Sequence, residues 1–334
     1  MKKVLVSIIV ALLVLTAVFA FACSSDPVVA SGEYTIVSPD GAPALALASL
    51  AQNPQISDTL KVTPSIVASS LIAAEAIKSD FAILPANAAA NLYNKGQEYK
   101  LVASVTNGNM FIVSNVENAS FTLDDLKGKM LYSIGQGSIP AFVLLNILTN
   151  AGIEYVVSET PVEGKVAIQY CLEGKDLIAK IKTASGTVYG NLAEPAVTSL
   201  CANGGYRVAD VQELWKTSTS SEIKGFAQAV LIAKKSICEN NPEVVDALLA
   251  ALVANETYVV ENVKASKDAI VAIYPESSLS SLPEVAQVVR NCNVKIYRAS
   301  ENYDYIYNTL NAAYTINAAA VGGSIPAKDS GFYY

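Results

Sequence analysis

Asp80-Phe81-Ala82-Ile83-Leu84-Pro85-Ala86-Asn87 is the stretch on which the fold turns. Phe81 to Leu84 is a short apolar run bounded by a charge and a proline, the mark of a strand. Pro85-Ala86-Asn87 reads as a loop, and from Ala88 the chain has helical spacing until Gly96, a residue suited to the position after a helix. A strand that passes through a tight loop into a helix leaves unpaired N–H groups at the carboxyl end of the strand.

The same construction occurs three more times. Tyr34 to Val37 is a strand, Ser38-Pro39-Asp40-Gly41 a loop, and Ala42-Pro43 opens an apolar helix ending near Gln52. Met130 to Ile134 leads through Gly135-Gln136-Gly137-Ser138 into a helix opened by Pro140 and stopped near Asn150 and Gly152. Thr187 to Gly190 leads through Asn191 to Glu194, with Pro195 at a helix start. Pro43, Pro140 and Pro195 suit a first helical turn, where a missing N–H is no loss. Short runs rich in Val, Ile and Tyr alternating with longer Ala/Leu segments predict an α/β fold with a largely parallel sheet. In such sheets ligands bind at the carboxyl ends of strands.

Composition narrows the function. The chain has 334 residues, enough for about two domains, and is 52% hydrophobic with a net charge of −7. An acidic surface repels nucleic acid, and arginine is confined to Arg207, Arg290 and Arg298. Histidine is absent. That removes the commonest general base, the Ser/His/Asp and Cys/His systems and most zinc sites. No paired carboxylates or isolated lysine stand out in their place. The composition therefore weighs against an enzyme, and no catalytic residues, no metal and no cofactor are expected.

The N-terminus sets the compartment. Lys2 and Lys3 precede an uninterrupted apolar run from Val4 to Phe21, then Ala22, Cys23, Ser24, Ser25 and Asp26. This reads as a secretory signal. Ala20-Phe21-Ala22-Cys23 resembles a bacterial lipobox, which implies a signal peptide over 1–22, lipidation of Cys23 and a small-residue tether over 23–32. An uncleaved membrane helix is the alternative; either places the rest outside the cytoplasm. Cys171, Cys201, Cys238 and Cys292 remain. They leave open two bridges, Cys171 with Cys201 and Cys238 with Cys292, or four reduced thiols.

Asp80 to Asn87, then Leu123-Asp124-Asp125-Leu126-Lys127-Gly128-Lys129, Asn150-Ala151-Gly152-Ile153 and Ala193-Glu194-Pro195 are similar in order and spacing to the NMT1/SsuA-like substrate-binding proteins of ABC importers. The ending from Gly322-Gly323-Ser324-Ile325-Pro326 to Phe332-Tyr333-Tyr334 also looks like that of bacterial members. The resemblance implies the type II periplasmic-binding-protein fold: two α/β lobes joined by a two-crossing hinge, with the ligand cleft between them. Lobe 1 would comprise 33–113 and 228–334, and lobe 2 114–227. The first crossing is expected near Phe111 to Ser114, and the return near Ala227 to Leu231 in a strand reaching Ile232. The resemblance further implies a monomeric receptor that closes over a small ligand and hands it to a permease and ATPase complex. An enzyme of cofactor biosynthesis on the same fold and a ligand-sensing ectodomain are the alternatives.

The expected ligand contacts are Ser38, Pro39, Asp40, Gly41, Ala42, Pro85, Asn87, Asn109, Gln136, Gly137, Ser138, Asn191 and Glu194. Asp40 and Asn87 are equally suited to capping the helices that follow them, and Glu194 to a helix first turn. Gln136 to Ser138 combine close backbone approach with donors and acceptors, although a plain turn suits them too. Asn107 is expected near the cleft with Asn109. Tyr303, Tyr305 and Tyr307 are expected chiefly in the core. The four loops hold no Arg or Lys, so a neutral or amine-bearing heterocycle, such as the thiamine-precursor pyrimidines taken up by some relatives, is favoured over sulfonate or nitrate.

Overall fold

The computed structural model describes residues 29–219 and 225–334. The expected signal peptide, Cys23 and most of the tether lie outside the described residues. Four strands open the first sheet: β1 (Gly32–Pro39), β2 (Leu60–Val67), β3 (Phe81–Pro85) and β4 (Tyr99–Thr106). The chain then builds a second sheet from β5 (Met110–Ser114), β6 (Met130–Ser133), β7 (Tyr155–Val157), β8 (Val166–Tyr170), β9 (Tyr189–Ala193) and β10 (Tyr206–Asp210). It returns to the first sheet for β11 (Ala229–Lys234) and β12 (Val294–Arg298). The strand orders are β12-β4-β11-β3-β1-β2 and β10-β5-β9-β6-β8-β7.

Each sheet is mixed where a largely parallel one was expected. β1, β2 and β3 pair in parallel, as do β6, β7, β8 and β9, but β11 runs antiparallel between β3 and β4, and β5 antiparallel between β9 and β10. These antiparallel strands adjoin the two passages between sheets. They also correct a boundary. β5, read as the end of lobe 1, pairs Phe111 with Leu192 and Val113 with Gly190 in the second sheet, so the first crossing is Asn107-Gly108-Asn109. An apolar strand such as Phe111 to Ser114 looks alike in either sheet; only its partners decide. The return runs from Gly225 to Gln228, and its strand begins two residues later than expected, at Ala229.

Side-chain alternation along the strands divides the interior into three layers. Ala82 and Leu84 of β3, Val230 and Ile232 of β11, Ile112 of β5 and Leu131 of β6 face one cluster shared by the two sheets. Phe81, Ile83 and Leu231 face the outer layer of the first sheet, and Phe111, Val113 and Met130 that of the second. Both faces of the sheets are therefore covered, which is why these strands read as continuous apolar runs. The middle layer is continuous across the lobes. The helix Ile139–Asn150, with every residue from Ile139 to Leu148 buried, packs against the late helix Tyr303–Ile316 of the first lobe. Cutting Phe142 back to alanine in that layer should cost about 3–5 kcal/mol.

Two glycines let the crossings pass each other. Gly108 (φ 76°) lies against Phe226 and Gln212, and Gly225 (φ 96°) against the Asn107 carbonyl. Buried Gln212 completes the junction as a side-chain ladder: its Oε1 accepts from Met110 N at 2.8 Å and its Nε2 donates to Met110 O at 3.0 Å. The four remaining cysteines are free thiols, so the two candidate bridges are not formed.

Candidate ligand site

Three of the four strand–helix starts, those at Asn87, Gly137 and Asn191 to Glu194, bring polar groups to the junction of the lobes, with shifts of one or two residues from the sequence expectation. The sequence suits Asn87 to a loop, as a helix cap or a ligand contact. It lies instead in the first turn of the helix Ala86–Asn94, whose N-cap is Pro85, and its Nδ2 donates across the junction to Gly137 O at 3.1 Å. A second bond goes to Ala320 O at 3.4 Å. Pro85 is itself held in the first sheet opposite Ala229. Gln136 and Gly137 are exposed, and Ser138 precedes the helix Ile139–Asn150 without capping it through its hydroxyl.

Asn191 was placed in a loop, but β9 extends through it because it pairs with Ile112. Its amide nitrogen reaches Ser133 Oγ at 3.2 Å and Pro140 O at 3.3 Å. Two residues past Leu192, Glu194 N donates to Asn109 O at 3.0 Å, and Asn109 Nδ2 returns a bond to Glu194 O at 3.3 Å. Asn87, Gly137, Asn191, Asn109 and Glu194 thus form one seam. Asn107 belongs to the hinge: its Nδ2 donates to Lys295 O at 2.6 Å and its Oδ1 accepts from Ser104 Oγ at 2.7 Å.

The Glu194 carboxylate is buried and fully engaged. Thr198 donates to it from its N–H and its hydroxyl, each at 3.0 Å, which is the helix-start role the sequence offered. The Arg207 guanidinium pairs with Oε1, and Asn291 of the first lobe approaches the same oxygen at 3.4 Å. Arg207 also lies over the Phe111 ring, 4.0 Å from its centroid. The absence of a cation from the four loops therefore does not carry over to the seam. Arg207 reaches it from β10, but its charge is spent on Glu194.

Asp40 stands apart from this seam. The residue before the helix Ala42–Leu45 is Gly41 (φ 95°), and Asp40 caps neither that helix nor any other in its own segment. It accepts instead from Ser277 Oγ and from Ser278 N at 2.8 Å, tying β1 to a distant turn of the same lobe. Ser38 is buried with its hydroxyl on Pro39 O, Pro39 pairs with Val67, and Ala42 is buried. The Tyr274 phenol is pushed up by desolvation first, then by Glu276, Asp40 and Glu173. Glu173 itself pairs with Lys175 at 2.6 Å.

Tyr303, Tyr305 and Tyr307 pack among themselves and the C-terminus. Tyr305 is buried edge-on to Tyr297, while Tyr303 stacks on Tyr307 and meets Tyr333 edge-on. Sequence reasoning missed Arg207, Gln212, Gln228, Asn291 and Asn293. None of them carries a local sequence signal; Asn293, a non-glycine residue at φ 51°, donates from Nδ2 to Gly108 O at 3.0 Å. Among the described residues no group of His, Cys, Asp and Glu could hold a metal, and no helix is long and apolar enough to cross a membrane. A surface hollow of about 280 Å³ between Glu256, Val289, Arg290 and Lys295 lies beside β12, with Asn293 in its lining.

No protein-family model matches the sequence, and none of the curated proteins is similar to it. Solved structures are similar in fold. An ABC transporter protein from Parabacteroides distasonis aligns over 90% of this chain and 98% of its own, with a TM-score of 0.70 and 22% identity. The periplasmic aliphatic sulphonate binding protein SsuA from Escherichia coli aligns over 89% and 95%, at 0.63 and 16%. The alkanesulfonate-binding protein SsuA from Xanthomonas axonopodis pv. citri, bound to MOPS, aligns over 87% and 94%, at 0.58 and 16%. Coverage of nearly both full lengths shows that the chain has the periplasmic-binding-protein fold, with two α/β lobes and two crossings.

Proposed function

We propose that the chain is the extracytoplasmic solute-binding receptor of an ABC-type importer, anchored through Cys23 and acting as a monomer on a permease and ATPase complex. The observation that carries the reading is the seam itself. Buried polar side chains from both lobes, Asn87 on one side and Asn109, Asn191 and Glu194 on the other, meet beside two glycine-bearing crossings. Polar groups buried at a hinge are costly unless a bound molecule or a partner satisfies them. A cleft that closes on a ligand supplies that role, with the crossings taking up the change in backbone angles.

Two of the similar structures are sulfonate-binding proteins by name. A neutral or amine-bearing heterocycle is the better fit here, because Arg207 is neutralised by Glu194 and the buried side chains of Asn87, Asn109 and Asn191 are uncharged. An oxyanion would find the Arg207 guanidinium already engaged. The test is native mass spectrometry of the protein purified from its own host, followed by uptake measurements with the gene deleted. The reading predicts one small molecule held one-to-one, unaltered on incubation, whose uptake falls on deletion. Conversion of that molecule to a product, or uptake unchanged by deletion, would refute it.

A further inference from the structure

The orphaned polar atoms of the seam are mostly acceptors: four amide oxygens, and one hydroxyl that can also donate. Asn87 Oδ1, Asn109 Oδ1, Asn191 Oδ1, Thr106 Oγ1 and Gln228 Oε1 are buried atoms with no hydrogen-bond partner in the protein, and all five sit on segments that meet at the lobe junction. For the three asparagines the amide orientation is fixed by the neighbours. Each nitrogen donates to a main-chain carbonyl: Asn87 to Gly137 and Ala320, Asn109 to Glu194, Asn191 to Pro140. Exchanging nitrogen and oxygen would set carbonyl against carbonyl, so oxygen is the atom each residue presents.

These residues are connected through the backbone. Gly137 O holds Asn87, and Pro140 O, three residues on, holds Asn191. The Glu194–Asn109 pair of bonds continues the line, and Gln228 joins Thr106 O to Ala86 N through its own main chain. Asn87, Asn109 and Asn191 are 5%, 1% and 0% exposed, so bulk water does not serve them freely. Buried carbonyl oxygens of this kind call for donors. Sulfonate, phosphate or carboxylate oxygens would bring further acceptors.

We infer that the cleft takes a ligand with several N–H donors, of the aminoheterocycle, amidine or guanidine class, and that Asn87, Asn109 and Asn191 are its anchors, flanked by Thr106 and Gln228. This rests on the receptor reading, and it names residues, Thr106 and Gln228, that the loops alone did not suggest. Donors are required whether the ligand is neutral or cationic, because the anchoring atoms are uncharged amide oxygens. Discrimination follows from the cost of leaving such oxygens unpaired when a donor is removed.

Calorimetry and thermal-shift measurements on the detergent-solubilised full chain, after unfolding and refolding to release anything carried through purification, test the inference. The panel pairs 2,4-diaminopyrimidine with its tetra-N-methyl analogue and butylguanidinium with its fully N-methylated analogue, and adds ethanesulfonate. The expected result is binding of a donor-bearing member at least tenfold tighter than its methylated partner, and none of ethanesulfonate. Equal binding within a pair, preference for ethanesulfonate, or no response to any member would overturn the inference. The receptor reading fails separately, by uptake that is unchanged when the gene is deleted, so a sulfonate importer would sink the donor assignment and leave the receptor standing.

Discussion

Gly225 and Asn107 touch where the two crossings pass: a Cβ on Gly225 would lie 2.3 Å from the Asn107 carbonyl oxygen. Because Gly225 also has φ 96°, Gly225→Ala is predicted to destabilise the chain by about 1–3 kcal/mol from the backbone alone, and more from the contact. Denaturant unfolding checks this. Gly137→Ala, at a positive φ with open space around it, is predicted to cost only the backbone part.

Arg207 and Glu194 form a pair of which only the carboxylate is fully buried; the Arg207 side chain is 36% exposed. Arg207→Ala leaves that carboxylate without its cation. The expected loss is about 2–3 kcal/mol, below the roughly 3–5 of a fully buried pair because the guanidinium is partly solvated. Arg207→Met with Glu194→Gln should recover at least half of the loss in the same unfolding measurement.

Thr106 has a buried hydroxyl with no partner in the protein, on a residue 0% exposed. Thr106→Val keeps its shape and removes the orphan. The ligand-free protein should gain about 1 kcal/mol. Affinity for a donor-bearing ligand should fall at the same time, the trade expected of a residue kept for binding. A loss of stability on this substitution would show that the hydroxyl is satisfied after all.

Asp80 anchors β3 to β1 and β11. Burial pushes its carboxyl up, but bonds from Lys234 and from the N–H and hydroxyl of Thr35 outweigh this and hold it below the usual 3.8. A carboxyl lowered on folding stabilises the protein fully above its unfolded value, and the contribution is lost as pH falls through the lowered value. Asp80→Asn should therefore be less stable than the parent at pH 7. The gap should narrow below about pH 4, as followed by chemical denaturation across pH.

The thiols should react in an order set by burial. Desolvation pushes the Cys238 thiol up to about 11 and raises Cys292 further, while Cys201 is partly exposed. A thiol-reactive dye should label Cys201 first and Cys292 only on unfolding. Reductant should leave the melting temperature unchanged, since no bridge is present to break.

The strand–loop–helix starts were legible because their signals are local: a short apolar run, a proline near the first helical turn, a glycine after the last. Long-range pairing was not. Phe111 to Ser114 has the same composition whichever sheet holds it, and the register of β5 against β9 also draws Asn191 out of its loop. The sequence suits Asp40 to a ligand contact or to capping its own helix, but its carboxylate partners lie more than 230 residues away at Ser277 and Ser278. Arg207 escaped notice because its reach to Glu194 depends on β10 lying beside β5. The local strand–helix starts were therefore readable, and the long-range partners of their polar side chains were not.

The central claim is that a ligand is gripped between the lobes, and the most direct test is calorimetric titration of the molecule retained from the host against two variants. Asn87→Ala lies on the first lobe and Asn191→Ala on the second. The predicted result is weakening by at least tenfold in each, with circular dichroism unchanged. Full affinity in either variant, with the other weakened, would place the ligand on one lobe and contradict the account.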